Sequence, residues 1–328
     1  MFSLTQWIIL VLVVVLYGFS VFIARKEQRS ASSWYAERLL AFRIKYGLFT
    51  IPDDPVKFLS EQALENEMRY ELPIALRLTG KMQRVEMAGL DCIVLGGASA
   101  SPLRILYLHG GAYVQQPLLP HWTFLDRLAK KTKAEIIAPL YPKAPLHTYA
   151  ETFGMLERLY RLLLDICGGC ATIFMGDSAG GGLALAFAQA LKEYQLPQPK
   201  RFILLSPWLD VSMENADMDE LEAKDPMLQR SYLITAGKAW AGATDVHDYK
   251  VSPIYGSCAH VSPITLFVGT HELFLADAKK FAHIAKNQNA QIDVRIYPKM
   301  NHVFPLFPIP EAKMAMREIV ELIHSDQR

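Results

Sequence analysis

Along most of the chain, short apolar runs alternate with longer segments in which apolar residues recur every three or four positions. The runs are short enough for buried strands and the longer segments have the period of amphipathic helices. This alternation predicts an α/β fold with a mostly parallel sheet, right-handed crossovers and helices on both faces. Strands are expected at 105–108, 135–138, 172–175, 202–205, 265–268 and 292–297, and helices at 122–131, 150–164 and 181–194.

Two helical regions fall outside this alternation. Residues 30–78 are rich in Leu, Tyr and Phe, and residues 211–249 lie between two predicted strands. Helices laid over the carboxyl ends of parallel strands would cover a ligand cleft, so both regions are interpreted as a cap. The alternative is that they are additional surface helices, since apolar helical stripes usually mean packing.

The amino terminus has its own pattern. Residues 7–24 carry no charge, and Arg25, Lys26 and Arg29 follow them. The apolar stretch reaches the length needed to span a bilayer. A cleaved signal peptide would have its basic residues before the apolar run and a small-residue cleavage site after it. We therefore expect residues 1–29 to be an uncleaved single-pass membrane anchor, with the following domain on the cytoplasmic side.

Composition excludes several classes of protein. The 328 residues carry a formal net charge of +1, which gives no long-range field for nucleic acid. Four cysteines are too few for a disulfide framework. The CxxC formed by Cys167 and Cys170 lacks further ligands at zinc spacing, so no metal or other cofactor is expected. The oligomeric state stays open.

A GxSxG pentapeptide at 176–180 carries the strongest chemical signal, with Ser178 at its centre. It lies directly between a predicted strand and a predicted helix. A serine on such a strained turn needs small residues two positions away on each side, so that its Oγ can project from a tightly packed backbone. The pattern predicts Ser178 as a nucleophile.

A second motif, HGGAY at 109–113, directly follows the strand predicted at 105–108. Consecutive glycines can turn their N–H groups into a cleft. With the N–H of Ala179, those of Gly110 and Gly111 would form an oxyanion hole for a tetrahedral intermediate. Tyr113, at the end of the motif, is predicted to contact the substrate. Without the serine motif, the two glycines could simply end a strand.

A nucleophilic serine also needs a base and an acid, which follow it along the chain in this order: serine, acid, histidine. His302 lies in a loop after the last predicted strand and is the expected base. Two carboxylates compete for the role of the acid. Glu272 lies in the turn directly after a strand and is preferred, while Asp277 comes about one helical turn later and could instead favour the start of a helix.

These motifs resemble the hormone-sensitive lipase group of α/β-hydrolases, in particular its bacterial esterases and lipases. The resemblance spans about residues 80–328 and rests on HGGAY, YPKAP at 141–145, GDSAGGG at 176–182, SPWLD at 206–210 and MNHVF at 300–304. It implies an α/β-hydrolase fold, a Ser-Asp/Glu-His triad, an oxyanion hole from Gly110, Gly111 and Ala179, and a helical cap built partly from the amino-terminal segment.

Two departures from the family pattern are visible. The triad acid is commonly aspartate where this chain has Glu272, and the acidic residue often found after Ala-Pro is replaced by Leu146. A glutamate can orient an imidazole as an aspartate does, although its longer arm needs a different loop. The second change touches no triad position.

The resulting hypothesis is a serine carboxylesterase or lipase that cleaves hydrophobic esters of short to medium acyl chain through an acyl-enzyme. The domains are expected to be the anchor at 1–29, the helical cap at 30–79 and the catalytic domain at 80–328, with the cap insert at about 211–249. Rival hypotheses are a serine peptidase on the same fold, a non-catalytic receptor for small molecules and a membrane scaffold.

Overall fold

The computed structural model describes residues 3–45, 54–78, 80–97, 103–167 and 170–325. The strands are β1 Met82–Met87, β2 Leu90–Gly96, β3 Leu103–Leu108, β4 Glu135–Pro139, β5 Ala171–Asp177, β6 Arg201–Leu205, β7 Ile264–His271 and β8 Ile292–Asn301. The helices are α1 Leu4–Lys26, α2 Ala31–Lys45, α3 Pro55–Glu67, α4 Leu119–Thr132, α5 Tyr149–Cys167, α6 Ser178–Ala190, α7 Met218–Glu222, α8 Arg230–Ala241, α9 Leu275–Asn287 and α10 Pro310–Ser325, with 3-10 turns at Pro253–Tyr255 and Phe304–Leu306.

The strands form one eight-stranded sheet in the order β1-β2-β4-β3-β5-β6-β7-β8. In the part of the sheet from β4 to β8, every neighbouring pair of strands is parallel. At the other edge, β2 pairs antiparallel with β4, and β1 pairs antiparallel with β2. The six predicted strands and the predicted fold class are confirmed. Because parallel strands need long crossovers, helices lie between them along the chain.

The hairpin of β1 and β2 is an addition to the predicted elements. Met87 pairs with Leu90 across a two-residue turn in which both residues, Ala88 and Gly89, have positive φ (53° and 78°). That backbone matches the twist of a tight hairpin. No residue of β1 is fully buried, and Gln83, Arg84 and Glu86 separate its apolar residues, so it has no apolar run from which to predict it.

The core lies on both faces of the sheet, as the continuous apolar runs require. In β3, Leu106 and Leu108 point into the layer that contains α5, α6 and α9. Ile105 and Tyr107 point into the other layer, with α4 and α10. Successive side chains of a strand therefore pack into opposite layers, and this packing holds the sheet between the two layers of helices.

The two regions interpreted as a cap are helical in their described parts. Helices α2 and α3 precede the sheet, while α7 and α8 lie between β6 and β7. The ring of Phe58 in α3 meets that of Tyr232 in α8 edge to face at 5.5 Å. The amino-terminal helices and the insert thus contact each other; the domain limits and the cap function stay predictions.

Helix α1 has the dimensions of a membrane span. Its segment Gln6–Lys26 is the one helix in the described residues that is long and apolar enough to cross a bilayer. Side chains such as those of Val14 and Phe22 are exposed along it. Arg25 and Lys26 close its last turn, where positive charge also complements the helix dipole.

Candidate active site

Residues predicted to act together lie at the carboxyl edge of the sheet. Gly110 and Gly111 follow β3, Ser178 follows β5, Glu272 follows β7 and His302 follows β8. Parallel strands bring their carboxyl ends to one edge, which is where open α/β sheets bind ligands. Residues that are far apart in the sequence therefore meet in one place.

Ser178 stands on a strained turn between β5 and α6. Its φ is +53°, a left-handed value that few residues other than glycine adopt. A Cβ on Gly180 would lie 2.0 Å from the carbonyl oxygen of Leu108, and one on Gly176 would lie 2.5 Å from that of Gly180. Close backbone packing thus requires glycine at both positions, as expected from the motif.

Three side chains form a continuous chain of contacts. The Oγ of Ser178 lies 2.9 Å from Nε2 of His302, and Nδ1 of the same ring lies 2.9 Å from Oε2 of Glu272. A carboxylate only accepts hydrogen bonds, so the proton of a neutral His302 belongs on Nδ1. Nε2 is then free to accept a proton from the serine.

Glu272 is itself held from two sides. Its Oε1 accepts hydrogen bonds from Ser206 Oγ at 2.9 Å and from the N–H of Gly269 at 2.5 Å. Ser206 Oγ also accepts a hydrogen bond from the N–H of Val303 at 3.1 Å, beside His302. One buried hydroxyl therefore links the loop of the acid with the loop of the histidine.

The role of Ser206 is missing from the sequence interpretation, although SPWLD was recognised as a motif. Its position could have indicated this role, because Ser206 is a small polar residue at the end of β6, the strand between β5 and β7.

The competing carboxylate, Asp277, lies elsewhere. It is fully buried in the first turn of α9, and its Oδ1 accepts a hydrogen bond from Asn215 at 2.9 Å. Burial raises the pKa of Asp277 to about 7. The structure brings Glu272, and not Asp277, to His302.

The loop with the two glycines is fixed by Asp177, the residue before the serine. The N–H of Gly110 donates to Asp177 Oδ1 at 3.0 Å, and the hydroxyl of Tyr107 donates to the same oxygen at 2.5 Å. Nε2 of His121 lies 3.2 Å from Oδ2. Burial alone would raise the pKa of Asp177, but the charge of His121 and these hydrogen bonds lower it. The carboxylate is therefore a charged clamp.

This clamp involves one of the three predicted oxyanion donors. Because the N–H of Gly110 is engaged by Asp177, those of Gly111 and Ala179 are the better placed of the three predicted donors. Gly111 has a φ of +119°, and Ala179 lies in the first turn of α6, where N–H groups have no partner within the helix. Gly110 holds the loop in this structure.

Tyr113 lies deeper than its predicted role requires. Its ring stacks on those of Trp240 at 4.3 Å and Trp208 at 5.4 Å, and 1% of the residue is exposed. The ring therefore packs beneath the site in this structure rather than lining an open cleft. Substrate contact by Tyr113 stays a prediction.

A further carboxylate near the histidine, Asp225, lies in the insert between β6 and β7. Its Oδ2 accepts a hydrogen bond from the N–H of Leu273 at 2.9 Å, directly after Glu272. Its Oδ1 accepts from Met227 and Leu228. Burial raises the pKa of Asp225 to about 6, against the opposing effect of His302. No sequence signal identified it, because only the fold brings the insert to the acid loop.

The site offers no evident metal cage. Among the residues that the structure describes, no group of three or more His, Cys, Asp or Glu side chains is arranged to hold a metal ion.

Comparisons with known proteins agree with this fold. The family of the alpha/beta hydrolase fold matches residues 105–306, more than half of the chain. An esterase of Acinetobacter venetianus is 29% identical over 258 residues, which cover 75% of this chain and 83% of the esterase. A triacylglycerol lipase of Mycobacterium tuberculosis is 28% identical over 279 residues, which cover 83% of this chain and 59% of the lipase.

A solved structure extends the match to three dimensions. The crystal structure of a hormone-sensitive lipase from a metagenome library superposes with a TM-score of 0.73 at 26% identity, and the match covers 83% of this chain and 98% of that one. The chain therefore belongs to the α/β-hydrolase-fold family, as a relative of its hormone-sensitive lipase group.

Proposed function

We propose that the protein is a serine esterase in which Ser178, Glu272 and His302 form the catalytic triad. The observation that carries the proposal is the pair of 2.9 Å contacts that joins Ser178 to His302 and His302 to Glu272. The names of the relatives, an esterase and a triacylglycerol lipase, support carboxylic esters as the substrates.

In the first half of the reaction, His302 accepts the proton of Ser178 while Oγ attacks the ester carbonyl. Glu272 stabilises the imidazolium that forms. The negative charge that develops on the carbonyl oxygen is met by the N–H groups of Gly111 and Ala179. When the intermediate collapses, the ester C–O bond breaks and His302 returns the proton to the departing alcohol.

In the second half, water attacks the acyl-enzyme. His302 removes one proton from the water as the new C–O bond forms, and gives it back to Ser178 Oγ when the free acid departs. Atoms and charges balance with water as the second reactant. Gly110 would join the oxyanion donors only by leaving Asp177.

The surroundings of the triad favour an apolar acyl group. The ring of Phe274 meets that of His302 edge to face at 5.0 Å, and Trp208 stacks on Phe274 at 6.0 Å. Both rings are fully buried and make the surroundings of the imidazole apolar, which is the basis for proposing a hydrophobic chain of short to medium length.

We further infer that α1 is a single-pass membrane anchor. Its apolar length and the basic residues Arg25 and Lys26 at its end support a span with the catalytic domain on the cytoplasmic side.

The test is hydrolysis of p-nitrophenyl esters of increasing acyl length by the full-length chain in a mild non-ionic detergent. Ser178→Ala is expected to lower kcat by on the order of 10⁶-fold, because the nucleophile and its base act as a unit. Ser325→Ala, at an exposed serine near the end of α10, is the matched control and should keep full activity. A maximum at short or medium chains would support the acyl preference.

A peptide p-nitroanilide is assayed beside the esters. Turnover of the anilide in preference to every ester would favour the peptidase, and equal inactivity of Ser178→Ala and the unsubstituted chain would contradict catalysis altogether.

A further inference from the structure

Helix α2 exposes apolar side chains on the face that points away from the protein. Tyr35, Leu39 and Phe42 are 43%, 56% and 51% exposed. Their spacing of four and three residues places them on one side of the helix. A surface helix of a soluble domain normally has polar residues there.

The opposite face of α2 buries polar side chains. Ser33 is buried, and its hydroxyl donates to Glu311 of α10 at 3.2 Å. Glu37 forms ion pairs with Arg29, at 2.6 Å, and with His271. Burial alone would raise the pKa of Glu37, but hydrogen bonds from His271 and Arg29 lower it. Although Ala36 also packs against the core, the inward face of α2 is therefore partly polar, which is unusual for a surface helix.

These buried contacts fix α2 to the edge of the sheet that carries the candidate site. The side chain of Arg29 is 1% exposed and donates to the carbonyl of Lys299 at 3.2 Å, three residues before His302. His271 is the residue directly before Glu272. The position of α2 relative to the acid and histidine loops is thus set by an ion-pair network.

A lipid surface suits the outward face of α2 better than water does. Helix α1, which is long and apolar enough to span a bilayer, ends at Lys26, and only residues 27–30 separate it from α2. Arg25 and Lys26 are exposed in the last turn of α1, and Arg38 is exposed on α2. Aromatic and aliphatic side chains flanked by basic residues favour the boundary between lipid headgroups and acyl chains.

We propose that Tyr35, Leu39 and Phe42 of α2 lie in the interface of the bilayer that α1 spans, and that α2 holds the carboxyl edge of the sheet toward this bilayer. The inference rests on the anchor proposed above. Its consequence is that an ester dissolved in the membrane reaches Ser178 from the lipid side.

The test uses the full-length chain reconstituted in vesicles of phosphatidylcholine and phosphatidylglycerol. An environment-sensitive NBD label is attached at Leu39→Cys, and quenching is measured in two sets of vesicles, one with a nitroxide near the lipid headgroup and one with a nitroxide deep in the acyl chains. Two labelled variants serve as references. Val14→Cys in α1 reports the anchor, and Gln291→Cys reports an exposed position directly before β8, at the opposite edge of the sheet. The unsubstituted chain, in which Cys92 and Cys258 are buried, corrects for labelling of native cysteines.

We expect the label at residue 39 to be quenched several-fold more strongly than that at residue 291, and the label at residue 14 to be quenched by nitroxides deep in the acyl chains. Equal quenching at 39 and 291, with deep quenching at 14, would overturn the α2 proposal and leave the anchor intact. Loss of quenching at 14 as well would overturn both. A blue shift at 39 that grows with protein density without lipid quenching would assign the face to a second copy of the chain.

Discussion

The carboxyl edge of the sheet and helix α2 both bury polar side chains, but their surroundings differ. At the edge, Glu272 and His302 are enclosed by the core, and 8% of Ser178 remains exposed. In α2, Ser33 and Glu37 face the protein while Tyr35 and Leu39 face outward. In the proposed function, the buried polar groups of the first region take part in the reaction, whereas those of the second region attach a helix.

The two networks of buried polar groups differ in the precision that their geometry requires. Proton transfer requires donors and acceptors held within a few tenths of an ångström and shielded from water. Attachment only requires that the helix stay where it is. Substitutions at the edge should therefore change turnover of a soluble ester without altering lipid quenching of a label at residue 39, and this separation is what the following variants probe.

After Ser178→Ala, the largest effect is expected from Glu272→Gln. The amide cannot stabilise the imidazolium of His302, and it no longer enforces the tautomer with the proton on Nδ1, so kcat should fall by on the order of 10⁴-fold. Asp277→Asn is the matched control and should leave kcat close to that of the unsubstituted chain. Steady-state kinetics on one soluble ester measures both; a comparable loss in Asp277→Asn would reassign the acid.

The same control variant tests the pKa of Asp277. Because that pKa is raised from 3.8 to about 7, the folded chain keeps a proton between pH 4 and 7 that the unfolded chain has lost. The free energy of unfolding should therefore fall as pH rises through this window, by up to ~1.4 kcal/mol per pH unit from this group. Asp277→Asn should flatten the slope in urea titrations at pH 5 and pH 7.

An intermediate effect is expected from Ser206→Ala. The change removes the hydrogen bond to Glu272 and the one from Val303, so the acid and the histidine lose a common support. We expect kcat to fall about tenfold, equivalent to one hydrogen bond of ~1.4 kcal/mol.

Ser252→Ala is the control for Ser206→Ala. Ser252 is equally buried, and its hydroxyl accepts a hydrogen bond from Val211 and lies within hydrogen-bond distance of Val246 and Asp210, but none of these partners belongs to the triad. Both variants should lose stability, and only Ser206→Ala should lose turnover. Equal turnover in the two would show that Ser206 is merely structural.

The smallest effect is expected from Asp225→Asn. The negative charge of Asp225 interacts favourably with the positive charge that His302 gains when it accepts the serine proton, so its removal should weaken stabilisation of the transition state. Above pH 6, where this carboxylate is ionised, steady-state kinetics should show a kcat/KM that is lower by less than about tenfold. Asp217→Asn, at an exposed aspartate in the same insert, changes the charge equally and should leave kcat/KM unchanged.

Much of the fold was predictable because it depends on local pattern. Buried parallel strands give continuous apolar runs, and all six predicted strands lie within β3 to β8. Strand β1 escaped prediction because it is half exposed, so that Arg84 and Glu86 interrupt its apolar sequence, whereas β2 contains an apolar run at 92–95 that the prediction omitted. An edge strand is stabilised by pairing with its neighbour in the sheet, so its own sequence need not show an apolar pattern.

For the site, the sequence by itself determined the residue types and their order. Close backbone packing dictates Gly176 and Gly180, and chain order identifies Ser178, Glu272 and His302 as candidates. Tertiary structure alone decided which groups meet. It brought the N–H of Gly110 into a hydrogen bond with Asp177, Ser206 between the loops of the acid and the histidine, and Asp225 close to His302. It also turned the apolar face of α2 outward. Contacts across tens or hundreds of residues depend on how strands and helices stack, and no local pattern of polarity encodes that arrangement.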